Sequence, residues 1–228
     1  MTTPTGTYNY ATFRPAAYIE GECDGPDPGD FLGDQTVYGL DGEPRRLAEI
    51  LRRPTVLETA STTCPLYCAQ IDPMRQVAES HPDVEFAVLY TREAHPGGRR
   101  GPHENMTDKI GAASTLWEAA GEWRTIWIDT IDGRLHRLLS AAPNSVVVLD
   151  GAGSVLTWMH DADASTLHSV LSSMEAGLSL RVPAESRFRP PGPDALRALL
   201  RGGWKAVGDF VVGLPALVRY RLSGGASC

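Results

Sequence analysis

Three short apolar runs limit what this chain can fold into. They are "PTVLETA" at 54–60, "VEFAVLY" at 84–90 and "RTIWIDT" at 124–130. None shows the strict alternation of a strand with one wet face, so each reads as a strand buried on both sides. Segments with helical spacing stand between them. Tyr67, Ile71, Met74 and Val77 recur every three or four residues between Pro65 and Glu79, with Pro73 marking a kink or a shifted start. A second helix is expected over 107–121, with Thr107 as its N-cap. Strands joined through helices pair in parallel, because a crossover of that length brings the chain back in the same direction.

The flanking segments complete the pattern. "QTVYGLDGEPRRLAEIL" at 35–51 reads as a hairpin around Asp41-Gly42 followed by a brief helix. "GRLHRLLSA" at 133–141 is a short helix, and "NSVVVLDGAGSVLTWM" at 144–159 is two strands around an Asp-Gly-Ala-Gly turn. "DASTLHSVLSSM" at 163–174 closes the domain as a helix capped by Asp163 or Ser165. The expected fold is α/β: a thioredoxin-like central mixed sheet with flanking helices, in the longer peroxiredoxin variety with a helix inserted after the second strand. Residues 1–30, rich in Pro, Gly and Thr, form an N-terminal arm. Residues 31–178 form the domain, and 179–228 a linker and C-terminal helical extension.

Charge narrows the partners. The net charge is −7, which disfavours a nucleic-acid surface. It is unevenly spread: residues 181–228 hold eight Lys/Arg against three acids. That basic tail is expected to pack on the acidic body, or else to meet a partner or a membrane surface. No N-terminal apolar signal region and no run of 18 apolar residues is seen, so a cytoplasmic protein away from the membrane is expected. "GDFVVGLPALV" reads as a core patch or a homodimer surface, and the five tryptophans read as packing residues.

Four cysteines in 228 residues are too few for a disulfide scaffold, and Cys64 and Cys68 are only four apart. Cys64 falls where the first strand hands over to its helix. Unpaired N–H groups and the helix dipole there favour thiolate, with the hydroxyls of Thr62 and Thr63 in reach. Pro65 suits the first helical position. Cys68 lies one turn further along the same face, at a Cα spacing of roughly 6 Å, inside disulfide range. It is a resolving partner or a packed thiol. Cys23 and Cys228 have no partner spacing. No phosphate-binding glycine motif is present, and His95 and His103 are too loosely spaced for zinc.

These residues resemble a known family. "TVLETASTTCPLYCAQID", "VEFAVLYTREAHPGG" and "IWIDTIDGRLHRLLSAAPNSVVVLDGAGSVL" are similar to the iodothyronine deiodinases, above all their bacterial thioredoxin-like members. The resemblance covers roughly residues 30–175. It implies a thiol-dependent oxidoreductase acting on a small halogenated, peroxidic or disulfide substrate. Cys64 stands where the animal enzymes carry selenocysteine and is the implied nucleophile. His95 is implied to bind substrate or move a proton, with Glu93 orienting it. Thr63 and His103 are further substrate-binding candidates, and Pro143 fits the proline that faces the active cysteine. An external thiol or thioredoxin-type reductant supplies electrons, and no cofactor is implied. The chain departs from the animal enzymes at Asn144 and Ser145, where they carry a basic residue for the substrate carboxylate. "TCPLYC" also resembles the Sco/SenC copper proteins, which makes copper held by Cys64, Cys68 and His95 the alternative.

Overall fold

The computed structural model describes residues 8–15, 25–141, 144–180 and 193–222. The expected hairpin forms as β1 (Thr36–Tyr38) and β2 (Pro44–Arg46), followed by α1 (Leu47–Ile50). The three buried runs become β3 (Thr55–Ala60), β4 (Glu85–Tyr90) and β5 (Thr125–Ile128). Between β3 and β4 lies α2 (Pro65–Ser80), which accommodates Pro73 within its span. Between β4 and β5 lie α3 (Met106–Ser114) and α4 (Leu116–Ala120). The single helix expected over 107–121 is therefore two. Asn105, not Thr107, caps the first: its side chain accepts from the Asp108 N–H. The break comes at Thr115, and Gly121 ends α4 with a positive φ of 73°. Next come α5 (Arg134–Leu138), the hairpin β6 (Val146–Leu149) and β7 (Val155–Met159), and α6 (Ala164–Glu175), capped by the Asp163 side chain.

The strands form one mixed sheet in the order β2-β1-β5-β4-β3-β6-β7. β3 lies parallel to β4, β4 parallel to β5, and β6 antiparallel to β3, so the crossovers and the closing hairpin arrange as the element order requires. Every residue of β3 is buried, as expected of a strand covered on both faces. One apolar layer, including Leu57, Leu89, Val147 and Leu149, lies on one side. Two others lie on the opposite side: Val56, Met74, Val148 and Leu167, and, near the end of β3 that leads to Cys64, Ala60, Tyr67, Val88 and Tyr90.

Beyond the domain, α7 (Pro193–Gly202) and α8 (Trp204–Leu222) form the expected helical extension. α7 packs along α2 and buries Ala195, Ala198 and Leu199; α8 buries Ala206. The outer side of α8 carries exposed Val211 and Val212, and Trp204 is 74% exposed. Trp117 is also half exposed, so these two tryptophans are not the packing residues the sequence suggests. Among the described residues no helix is long and apolar enough to cross a membrane.

A fully buried ionic cluster joins the sheet to α2. Arg124 forks onto Glu122 through Nε and Nη2, both at 2.8 Å, and reaches Glu58 on β3 through Nη1 at 2.5 Å. The Tyr67 hydroxyl of α2 donates to Glu122 Oε2, the oxygen that also accepts from Arg124 Nη2. The two-pronged pairing and the Tyr67 hydroxyl hold the Glu122 carboxyl down at about 2 despite burial. Glu58 has a single bond from the guanidinium and an Oε1 with no hydrogen-bond partner among the described residues. Burial dominates there and pushes its carboxyl up to about 7. Replacing the cation strands two buried acids. Arg124→Met should cost about 3–5 kcal/mol in urea unfolding at neutral pH. A loss under about 1 kcal/mol would mean that the cluster is not the staple its burial implies.

Candidate active site

The site is built around a turn and a loop. Ser61, Thr62 and Thr63 follow β3, and residues 91–95 follow β4, so parallel pairing of the two strands brings both segments to one end of the sheet. Glu93 joins them. Its buried carboxylate accepts hydrogen bonds from Ser61 Oγ (3.0 Å), Thr62 Oγ1 (2.5 Å), Thr63 N (3.0 Å), Thr63 Oγ1 (2.6 Å) and the Tyr90 hydroxyl (2.7 Å). Burial alone would raise this carboxyl. The donors from Thr62, Thr63 and Tyr90 outweigh it and keep the group below its ordinary value, ionised. Tyr90 gives its one proton to Glu93, so His103 Nε2, 3.0 Å from the same oxygen, is the donor there. His103 is thereby held in the Glu93 network.

That network places Cys64. The residue is the N-cap of α2, with extended backbone (φ −85°, ψ 113°), and the N–H groups of Leu66 and Tyr67 act on its sulfur. This is the expected position, but not the expected ionisation. Cys64 is 1% exposed. Desolvation outweighs the two backbone donors and pushes the thiol up to about 12, so in this closed arrangement it is protonated. Cys68 is half-buried one turn on, its N–H donating to the Cys64 carbonyl at 3.1 Å, and both thiols are free. Burial pushes the Cys68 thiol up to about 11 against the pull of a cation, Arg201.

His95 departs furthest from expectation. Its backbone N–H donates to Thr63 Oγ1 at 3.0 Å, which places it beside the turn. Its ring, however, lies between Phe13, 4.3 Å away between centroids, and the edge of Phe210 at 5.3 Å. Nδ1 has no hydrogen-bond partner among the described residues. Desolvation lowers the imidazole to about 3, so it is neutral and supplies no positive charge to a thiolate. Glu93 does not hydrogen-bond this ring; it reaches His95 only through Thr63. Thr63 is itself fully buried and hydrogen-bonded to Glu93 and the His95 backbone. Nor is the copper alternative assembled: among the described residues no three His, Cys, Asp or Glu side chains gather to hold a metal ion. Pro143, Cys23 and Cys228 lie outside the described residues.

Several residues of the site were not foreseen. Glu58 exerts its charge on both Cys64 and Cys68, and its carboxyl near 7 makes it the acid poised closest to neutrality beside the sulfurs. Residues 8–13 of the N-terminal arm are packed against the site. Tyr10 donates to the Ala94 carbonyl at 2.8 Å, and Arg92 donates to the Tyr8 carbonyl at 2.6 Å while stacking on the rings of Tyr8 and Tyr10. Aromatic residues at 8, 10 and 13 in a segment otherwise rich in Pro, Gly and Thr were the available signal.

Residues 48–157 match the iodothyronine deiodinase family model. The matched segment holds β3, Cys64, Cys68, the 92–95 loop, β6 and the start of β7. A curated relative, thyroxine 5-deiodinase of Gallus gallus, is 29% identical over 109 residues, 42% of this chain and 42% of that protein. The chain thus spans about two-fifths of the length of that curated relative, given the 42%. Among solved structures, a thioredoxin-like protein from Aeropyrum pernix superposes with a TM-score of 0.50 at 16% identity, over 62% of this chain and 89% of that one. The fold is thioredoxin-like. The arm and the α7–α8 extension, which supply Tyr10, Phe13, Arg201 and Phe210, lie outside the deiodinase-matched segment.

Burial of His95 carries a pH dependence. Its ordinary value is 6.5 and its folded value about 3. Between those, the unfolded chain binds a proton that the folded chain refuses, so stability falls as pH drops from 6.5 towards 3. Glu58 acts oppositely between 4.5 and 7, its folded carboxyl keeping a proton that the unfolded chain loses. Comparison with a variant isolates the histidine. His95→Leu should lose less stability than the wild type between pH 6.5 and 4.5 in urea titrations. Parallel pH curves for the two proteins would contradict a buried neutral imidazole.

Proposed function

We propose that this protein is a thiol-dependent oxidoreductase of deiodinase-like type. Cys64 is the nucleophile, and Cys68 resolves the product as a disulfide. The observation that carries this reading is the placement of Cys64. Its sulfur stands just beyond the end of a central parallel strand, at the opening turn of α2, with a second free thiol one turn away. The deiodinase match over 48–157 supports the same chemistry.

The substrate class is a small electrophile: halogenated, peroxidic or a disulfide. With a peroxide, the Cys64 thiolate attacks one oxygen, the O–O bond breaks, and the leaving alkoxide or hydroxide takes a proton. Cys64 is then a sulfenic acid. Cys68 attacks that sulfur, the S–S bond forms, and water leaves with the Cys68 proton. An external dithiol returns two electrons and two protons and restores both thiols. Because Asn144 and Ser145 are both buried and uncharged, recognition of a substrate carboxylate there is not part of this proposal.

Thiol counting tests the reading. The chain has four cysteines. One equivalent of hydrogen peroxide should remove two thiols from the wild type and leave a 64–68 bridge in peptide mapping. Cys68→Ser should lose one, trapped by dimedone at Cys64. Cys64→Ser should lose neither at a comparable rate. Equal thiol loss from wild type and Cys64→Ser would overturn the assignment.

A further inference from the structure

The extension does more than cover the site. Arg201, in the last turn of α7, directs Nη1 to Cys68 Sγ at 3.0 Å and to the Thr62 carbonyl at 3.1 Å. Backbone contacts on either side fix its position. The next residue, Gly202, accepts from the Arg99 N–H at 3.1 Å. A Cβ on Gly202 would meet the His95 carbonyl oxygen at 2.6 Å, and one on Gly97 would meet the Gly202 carbonyl oxygen at 2.3 Å. Two glycines thus let the end of α7 touch the 95–99 loop, backbone to backbone. Ala198 and Leu199 bury the preceding turn, and Lys205 ties the start of α8 to Thr12 Oγ1 at 2.9 Å. The guanidinium is therefore placed on the sulfur by its surroundings and does not reach it from a free surface.

We infer that Arg201 is a positioning residue for the resolving step: it stabilises the negative charge on Cys68 when that sulfur attacks Cys64, and again when Cys68 leaves during reduction. The inference rests on the proposed disulfide chemistry. In the forward step the Cys68 S–H is ionised, its sulfur bonds to the Cys64 sulfenic sulfur, and the expelled hydroxide takes the proton. In the reverse step the external dithiol attacks the Cys64 sulfur, the S–S bond breaks, and Cys68 departs with its electron pair beside the guanidinium. The leaving-group sulfur is the one that gains most from a fixed cation. The other charges that face Cys68 come from Glu58 on β3 and Glu93 in the 91–95 loop, and both oppose ionisation; Cys64 faces it from the same helix. Arg201 is the cation set against them.

Cysteine-resolved alkylation of the full-length protein tests this. Iodoacetamide rates at Cys64 and Cys68 would be read by peptide mass spectrometry from pH 7 to 12.5 in wild type, Arg201→Lys and Arg201→Gln. Arg201→Gln should raise the Cys68 midpoint by about one pH unit, a tenfold loss of thiolate at a given pH. Arg201→Lys should raise it less, since a charge remains without the planar fork. Leu199→Ala serves as a control that loosens α7: both cysteines should react faster, with no upward move of the Cys68 midpoint. If Arg201→Gln instead speeds both cysteines and leaves the Cys68 midpoint unchanged or lower, Arg201 is only a staple for α7 and the inference fails. The readout does not use peroxide. A midpoint shift without a 64–68 bridge would sink the oxidoreductase reading, and with it the resolving role, while leaving Arg201 as the cation that stabilises negative charge on Cys68.

Discussion

The ionised carboxylate of Glu93 is the interaction on which the site depends. Five donors converge on it from the 61–63 turn and from Tyr90. Hydrogen bonds to a charged group contribute roughly 1.5–3 kcal/mol each, enough together to offset burying one carboxylate. The result is a fixed seam between the segments that follow β3 and β4. Once the seam is set, the chain has little choice about where α2 begins. Cys64 becomes its N-cap, and the His95 backbone is anchored on Thr63. Glu93 is thus the keystone of the turn, not the partner of a catalytic imidazole.

Two effects compete at the Cys64 sulfur, and their magnitudes decide its state. A helix N-terminus favours an anion by about 0.3–1 kcal/mol, up to about 2 in buried settings. Full burial can move a titrating group by up to about 3–5 units, and each unit is about 1.4 kcal/mol. Desolvation wins, and the closed site stores Cys64 as a thiol. The covering that causes this is the apolar cluster of Ala60, Tyr67, Ile71, Val88, Tyr90 and Ala94 in which Cys64 is sealed. The helix dipole becomes decisive only when water reaches the sulfur.

Much of the architecture is written in local patterns. Buried runs such as "VEFAVLY" and the Asp-Gly turns carry their own signals, so the strand order follows from the element order. The helix over 107–121 misleads because its break at Thr115 comes from a local turn that leaves the apolar spacing intact. Cys64 is legible because its role depends on its place between a strand and a helix. His95 is not, because its burial is imposed by Phe13, 82 positions earlier, and by Phe210, 115 positions later. Glu58 shows the same limit. A lone acid in an apolar strand signals a special environment, but its unequal share of Arg124 emerges only when Glu122 takes the two-pronged pairing.

The segment that matches the deiodinases supplies both sulfurs, but not the groups that set their ionisation on the outer side. Cys64 is sealed among core residues of the matched segment, which disfavours its thiolate, and α7 acts on the other sulfur. Its last turn delivers a guanidinium to Cys68, which favours the other. A cover that seals both cysteines equally would hold both as thiols and resist oxidation altogether. Here the resolving sulfur stands next to a cation, Arg201, while the nucleophile is held as a thiol by burial alone.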